Sequence, residues 1–223
     1  MSLKCIKDTI KNINIVIGCT IGCQYCYART NCRRFHSTDD FSKPVFFESK
    51  LKRMDTKYKA NFLMTGQSDL SDWQADWKEK VFEKVGSNPQ NQYLFLTKRP
   101  EKLDMDIGME NAWMGVTVTS AKEKQRIAEL KQHIRAKHYH VTFEPMFDDV
   151  GDLDLSGIAW VVIGTETGKR KGKVDSKPEW VFSICEQAKA QGVKVFMKED
   201  LLGILAEEEM VQEFPDEFFK EYA

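Results

Sequence analysis

No stretch of this 223-residue chain approaches the roughly 20 consecutive apolar residues that a membrane-spanning helix needs. The N-terminal residues also lack the apolar core and small-residue cleavage site of a signal peptide. These absences predict a cytoplasmic protein without membrane association, in a compartment where cysteines stay reduced. The length suits one domain, and 42% hydrophobic residues are enough for a sizeable core. We expect a single domain over residues 1–223 that ends in an acidic tail, about 205–223.

The chain also lacks a net charge of either sign, since its formal charge is −1. A general attraction to nucleic acid is therefore not expected, but the charge is unevenly distributed. Residues 1–60 carry twelve Lys/Arg against five Asp/Glu, whereas residues 201–223 carry seven acids against one Lys. This asymmetry indicates either an anionic partner near the N-terminal half or two ordinary solvated surfaces.

Cysteine is scarce, with six residues, and three of them lie in one C-x3-C-x2-C stretch, Cys19, Cys23 and Cys26. This stretch follows an apolar run, residues 13–17, that reads as part of a strand. Three thiolates on one short loop can hold one face of a cubane iron–sulfur cluster, and Gly18 and Gly22 allow the turns that this requires. The motif supplies no fourth ligand, so one iron would be open to a small molecule. The alternatives are a zinc loop and three unrelated thiols; no second cysteine pair follows, and Cys32 and His36 are the nearest further candidates.

The spacing, with the aromatic Tyr25 before the last cysteine, resembles the signature of the radical S-adenosylmethionine (SAM) superfamily. The resemblance implies a [4Fe–4S] cluster on the three cysteines whose open iron binds the amino and carboxylate groups of SAM. An electron from the cluster then splits SAM into methionine and a 5'-deoxyadenosyl radical. It also implies an electron donor such as flavodoxin or ferredoxin.

Seven short apolar segments predict seven β-strands, several of which are linked by amphipathic helices. The predicted strands are residues 12–17, 61–65, 93–97, 112–118, 139–143, 158–163 and 193–197. Continuous apolar strands covered by helices favour a parallel sheet with both faces buried. The fold class is therefore α/β, an incomplete parallel (β/α) barrel of about six to seven strands, with an open doubly wound sheet as the alternative.

Serine residues predict the starts of three helices. Ser71 is expected to cap a helix with apolar positions at Trp73, Trp77, Val81 and Val85. Ser120 with Glu123, and Ser176 with Glu179, are expected to form capping boxes. A helix with a basic face is predicted over residues 27–34.

Polar residues follow nearly every predicted strand, which is where (β/α) barrels place their chemistry. These residues include 65–69, 97–99, Thr117, Thr119, Glu144, 164–166 and 198–199. One polar strand end would carry no meaning, but a polar cap on most strands predicts a shared binding site.

Sequence blocks at these strand ends resemble those of a phage-associated radical SAM family whose reaction is unassigned. The blocks are YAR at 27–29, LTKRP at 96–100, GVTV at 115–118, FEPM at 143–146, WVVIG at 160–164 with Glu166 and Gly168, and FMK at 196–198. Thr165 stands where the family pattern has a second glycine. The resemblance implies that a companion protein accompanies the chain.

The resemblance also implies roles for the polar cap. Thr65, Gly66 and Gln67 would meet the amino group of SAM, whereas Lys98, Thr117, Thr119 and Glu144 would hold its ribose and carboxylate. Backbone at Gly164 would meet the adenine, and Glu166 lies in the same cofactor-binding block. The simpler interpretation of these side chains is a set of rim salt bridges, such as Glu144 with Lys98 or Glu166 with Lys198.

The function that we expect is hydrogen abstraction from an unidentified substrate by a radical SAM enzyme. Arg33, Arg34, Lys169, Arg170 and Lys171 lie on predicted loops or near the cluster, and they favour a nucleotide or nucleic-acid substrate. A peptide-modifying radical SAM enzyme, a non-catalytic Fe–S redox protein and a zinc-stabilised nucleic-acid-binding module are the alternatives.

Overall fold

The computed structural model describes residues 3–219. Its helices are α1 (Ile6–Thr9), α2 (Tyr27–Phe35), α3 (Ala75–Gly86), α4 (Arg126–His133) and α5 (Pro178–Ala190). Its strands are β1 (Ile10–Asn12), β2 (Val16–Ile17), β3 (Val45–Phe46), β4 (Asn61–Leu63), β5 (Gln92–Thr97), β6 (Met105–Ile107), β7 (Ala112–Thr117), β8 (Ile134–Ala136), β9 (His138–Phe143), β10 (Trp160–Ile163) and β11 (Lys194–Met197). Short 3-10 helices connect several of them.

Seven of the described strands form one parallel sheet in the order β1-β4-β5-β7-β9-β10-β11. The order follows the chain, as in a (β/α) barrel, and the sheet curls into an incomplete barrel. The predicted fold class is confirmed, and the doubly wound alternative is wrong because its strand order would reverse at a switch point.

Side chains alternate between two apolar layers along each strand. On β10, Val161 and Ile163 pack in the large outer core beneath the helices, whereas Trp160 and Val162 face the inside of the barrel. Both faces are buried, which explains why these strands read as continuous apolar runs in the sequence.

The first predicted strand is wrong as a single element. The chain pairs in the main sheet at β1, and then Ile15 N–H bonds the carbonyl of Ile13, which interrupts the extended run. The following β2 pairs antiparallel with β3 in a separate small sheet. A buried apolar run does not distinguish one strand from two, because it records burial and not pairing. The two-stranded β6–β8 sheet was also not predicted.

The three serine caps are wrong for a common reason, since each serine or its partner bonds elsewhere. Ser71 lies in a 3-10 turn, Leu70–Asp72, and α3 starts only after Gln74. Glu123 accepts hydrogen bonds from Thr119 and not from Ser120. The Ser176 hydroxyl bonds Thr165 and the carbonyl of Met146.

The acidic tail, as far as residue 219, packs under the barrel. Phe218 contacts Trp113 and Trp160 edge-on, with ring centroids 4.9 and 5.3 Å apart. The Trp160 indole N–H donates to the carbonyl of Glu213, and the Asn61 side chain bonds both backbone groups of Phe219. These contacts close the amino-terminal end of the barrel; the expectation for residues 220–223 lies outside the described residues.

Candidate functional site

A cavity of about 590 Å³ occupies the barrel interior and opens at the carboxyl ends of the strands. Its wall includes Asn12, Cys19, Cys23, Cys26, Thr65, Gly66, Gln67, Lys98, Thr117, His140, Thr142, Glu144, Thr165, Glu166, Lys198, Glu199 and Asp200. Polar residues from most strand ends therefore share one space.

The three motif cysteines lie together on this wall as free thiols. The Cys19 sulfur accepts a hydrogen bond from Ile21 N at 3.5 Å, and the Cys26 sulfur accepts one from Arg29 N at 3.4 Å. Within residues 3–219, no three Cys, His, Asp or Glu side chains are arranged around a single metal ion. A cubane does not need such convergence, since each thiolate binds its own iron. The three half-buried thiols, two of which accept N–H···S bonds, therefore fit one face of a cluster.

Burial, assisted by the carboxylates of Asp69 and Asp72, raises the pKa of Cys19 to about 12, although the hydrogen bond from Ile21 N–H opposes this shift. The free thiol is therefore protonated at neutral pH, and metal binding must release its proton. Burial also raises the pKa of Tyr25, whose ring lies beside Cys23 and stacks edge-on against Phe147 at 5.2 Å. Tyr25 is thus a neutral phenol that covers one side of the cysteine loop.

Hydrogen bonds fix the cysteine loop to the loops after β4 and β5. Asp72 accepts from the backbone N and the hydroxyl of Thr20 at 2.8 and 2.7 Å, and from Arg99 at 2.5 Å. Gly18 N donates to the carbonyl of Gln67, and the Tyr27 hydroxyl donates to that of Gly66. Neighbouring strand ends thus position the three thiols.

Thr65, Gly66 and Gln67, predicted to meet SAM, all line the cavity. The Thr65 hydroxyl accepts from Leu96 N at 2.7 Å, which ties this loop to β5. A Cβ on Gly66 would lie 3.1 Å from the side-chain oxygen of Asn14, a buried oxygen without a partner among the described residues. Because Gly66 has no side chain, the loop after β4 can pass close to Asn12 and Asn14 at the end of the first strand.

The other predicted contacts divide into two groups. Lys98, Thr117, Glu144 and Glu166 line the cavity. Thr119 does not, because its N–H and hydroxyl both bond Glu123. Gly164 also lies behind the wall, where an added Cβ would come within 3.0 Å of Lys198 and 3.2 Å of Glu144.

Ion pairs at the rim involve partners other than those suggested by the sequence. Lys198 binds the carboxylates of Glu144 and Asp200, whereas Glu166 holds Arg170 through two bonds of 2.6 and 2.8 Å. Burial alone would lower the pKa of Lys198, but Glu144 and Asp200 outweigh it and raise the pKa above its usual value. The pairs Glu144–Lys98 and Glu166–Lys198 are therefore wrong.

Sequence reasoning missed several polar wall residues, among them His140, Thr142 and Asp200. On β9 the inward positions 140, 142 and 144 are all polar, and this alternation within an apolar strand was the available signal. Of the other cysteines, Cys32 bonds Thr38 and is buried in the small apolar cluster against which Cys19 and Cys26 pack, whereas Cys5 donates to Glu199.

The basic side chains that favoured a nucleotide or nucleic-acid substrate do not lie on the cavity wall. Arg33, Arg34, Lys169, Arg170 and Lys171 do not line it, and the Arg170 guanidinium is bound to Glu166. Two basic wall residues, Lys7 and Lys98, have ammonium groups without a partner among the described residues, and Lys98 is the one at a strand end. None of the helices within residues 3–219 is both long and apolar enough to span a bilayer.

Residues 4–216 match a family described as "Protein of unknown function (DUF5131)". The chain belongs to this family. Its description states neither a reaction nor a phage association, so the phage link remains a prediction. No curated protein matches the sequence.

Two solved structures resemble the fold: spore photoproduct lyase complexed with dinucleoside spore photoproduct, and a cysteine-to-alanine mutant of spore photoproduct lyase with the same ligand. They are 11% and 12% identical to this chain, with a TM-score of 0.46 each. The match covers 80% of this chain, which spans only 60% of each of those structures. A likeness of this size says nothing about the reaction of this chain.

Proposed function

We propose that this chain is a radical SAM enzyme, with a [4Fe–4S] cluster on Cys19, Cys23 and Cys26 and with SAM at the polar strand ends. The observation that carries the proposal is that three free thiols and polar groups from most strand ends share one cavity. A non-catalytic electron carrier has no need of such a cavity, and a single zinc ion would need ligands that converge.

Bound there, the cluster and SAM would supply reductive cleavage of SAM and a 5'-deoxyadenosyl radical for hydrogen abstraction. The protein's own residues would orient SAM. The free ammonium of Lys98 suits a carboxylate, and the Thr117 hydroxyl suits a ribose. Glu144 bonds Lys198 through Oε1, which leaves Oε2 for an amino group or a hydroxyl. Thr119 and Glu166 are less suitable, because Glu123 and Arg170 already occupy them.

The cluster is tested by anaerobic reconstitution. The wild-type chain should bind about four iron atoms, since a cubane has four, and with dithionite it should release 5'-deoxyadenosine from SAM. Cys23→Ala should lose both properties, whereas Cys185→Ala, a half-buried thiol on α5, should keep both. Wild-type iron content in Cys23→Ala, or no 5'-deoxyadenosine from the loaded wild-type chain, would refute the proposal.

The cofactor pocket is tested separately by SAM affinity. Lys98→Met should weaken SAM binding about tenfold, because it removes a charge-assisted hydrogen bond. Lys102→Met, an exposed lysine of the next 3-10 turn, is the matched control and should bind SAM normally. Equal affinity in the two variants would move the SAM carboxylate away from Lys98.

A flavodoxin or ferredoxin would reduce the cluster, and a companion protein would act with the chain. A nucleotide or nucleic-acid substrate would place its phosphates outside the cavity, on Lys169, Lys171 and α2. Binding of a single-stranded oligonucleotide should then weaken with salt, with a log–log slope of about −0.7 per phosphate contacted. A salt-independent or absent interaction would favour a peptide or a small neutral substrate.

A further inference from the structure

The inner face of β9 carries two polar side chains that the proposed cofactor site does not use. His140 and Thr142 alternate with buried Val141 and Phe143, and both line the cavity. Glu144, two residues further on, already bonds Lys198 at the rim. His140 therefore lies deeper in the barrel than the polar rim, and Thr142 lies between the two, level with Thr117 on the neighbouring strand.

His140 is 1% exposed, and its two ring nitrogens have different surroundings. Nε2 lies 3.2 Å from the carbonyl oxygen of Phe95, which can only accept, so the proton is on Nε2. Nδ1 is thus a bare acceptor, and it has no partner among the described residues. Gly115 permits this arrangement, because a Cβ there would come 2.4 Å from Nε2.

The His140 ring is neutral at physiological pH. Burial lowers the pKa of His140 to about 4, although the carbonyls of Phe95 and Trp113 favour the protonated form. An uncharged acceptor that is shielded from water costs free energy unless a donor reaches it. This ring is therefore prepared for a ligand N–H or O–H group and not for an anion.

Thr142 is 8% exposed, and its hydroxyl also has no partner among the described residues. The wall around the two side chains is largely apolar, with Leu94, Trp160 and Val162, and its nearest polar member is Thr117, which pairs with Thr142 across the sheet. Side chains two residues apart on a strand share a face and lie about 7 Å apart. A charged group in these surroundings would lose its hydration without gaining a counter-ion.

We propose that His140 and Thr142 bind an uncharged amide-type edge of the substrate, whose N–H donates to Nδ1 and whose carbonyl accepts from the threonine hydroxyl. The identification of this ligand as the substrate rests on the proposed function. The bound group is a lactam or a similar neutral amide on a largely apolar body, and any phosphate or carboxylate of the substrate remains at the rim.

A pair of matched probes tests this pocket by equilibrium dialysis with the reconstituted full chain. Quinolin-2(1H)-one presents a lactam N–H and carbonyl on an apolar body, and its N-methyl derivative lacks the N–H. The wild type should bind the N–H form about tenfold more tightly, because only this form satisfies Nδ1. In His140→Phe the preference should fall below about twofold. His138→Phe, on the same strand outside the cavity wall, should keep it.

A second variant pair tests Thr142 and does not depend on the folding of His140→Phe. Thr142→Val should weaken both probes by a similar factor, since both keep the carbonyl, whereas Thr142→Ser should bind like the wild type. Equal binding of the two probes by the wild type, no binding of either, or an unchanged preference in folded His140→Phe would overturn the proposal. Probe discrimination without SAM cleavage would retain the pocket and refute the radical reaction, so the two failures can be distinguished.

Discussion

At the scale of single residues, Gly18 is the most constrained position of the cysteine loop. Its φ is +120°, and a Cβ there would lie 2.7 Å from Cα of Pro44, a backbone atom that cannot move away easily. Gly22 has a φ of +80° but open space around it. Gly18→Ala should therefore destabilise the chain by about 3 kcal/mol or more, and Gly22→Ala by about 1 kcal/mol. Urea unfolding of both variants measures the two losses of unfolding free energy. Equal losses would mean that the contact with Pro44 does not destabilise Gly18→Ala.

Lys198 is the second residue whose replacement should change stability, because its ammonium binds the carboxylates of both Glu144 and Asp200. Lys198→Met would leave Glu144 and Asp200 facing each other without a cation, which should cost about 2 kcal/mol of unfolding free energy at pH 7. Lys194→Met removes an exposed pair with Asp216 and should cost less than about 1 kcal/mol. A loss in Lys198→Met no larger than in this control would contradict the prediction.

The pH dependence of the Lys198 contribution follows from the direction of its pKa shift. The folded-state pKa is raised above the ordinary 10.5, so the stabilisation is complete below that value and is lost as the pH rises through the higher folded pKa. The difference in stability between wild type and Lys198→Met should therefore be constant from about pH 6 to 9 and shrink above about pH 10.5. A stability difference that already decreases near neutral pH would contradict the raised pKa of Lys198.

At the scale of elements, the cysteine loop depends on the 3-10 turn after β4, because Asp72 bonds both polar groups of Thr20. Asp72→Ala should leave the barrel folded but lower the iron bound per chain and speed its loss to a chelator at least threefold. The reason is that the loop loses its orientation, and misplaced ligands bind metal 10–100 times more weakly in comparable sites. Asp76→Ala, in the exposed first turn of α3, is the control. Normal iron retention in Asp72→Ala would show that the thiols are positioned without this tether.

At the scale of the whole molecule, the C-terminal segment is part of the barrel core. Phe218 is 3% exposed between Trp113 and Trp160, so Phe218→Ala should cost about 3–4 kcal/mol of stability. Phe35→Ala, at an exposed position on α2, should cost less than about 0.5 kcal/mol. Thermal unfolding measures both, and similar Tm values would mean that the segment is dispensable.

Because this segment is packed in the core, deleting the acidic tail would affect the stability of the whole chain. Removing residues 205–223 would open the apolar end of the barrel. A truncated chain should aggregate or unfold more readily, irrespective of its affinity for anions. The single substitution Phe218→Ala is therefore the better test of the segment.

The sequence by itself determined the features that depend on local pattern. The cysteine spacing placed three thiols on one loop, and short apolar runs located most strands of the main sheet to within a few residues. The chain order of those strands and their helices then predicted the incomplete barrel. The periodicity of apolar residues and the spacing of cysteines depend on burial and on closeness along the chain. Neither property depends on which distant residues come into contact.

Only the tertiary structure decided which distant groups meet. Glu144 pairs with Lys198, 54 residues away, and not with Lys98, because Gly164 at the end of the intervening strand β10 has no side chain to separate the two groups. Ser71 and Ser176 lost their predicted capping roles because folding offered other partners. The unpaired nitrogen of His140 exists only because β5 and β7 occupy the opposite edge of its ring. Hydrogen bonds and ion pairs depend on three-dimensional proximity, which a one-dimensional pattern does not contain.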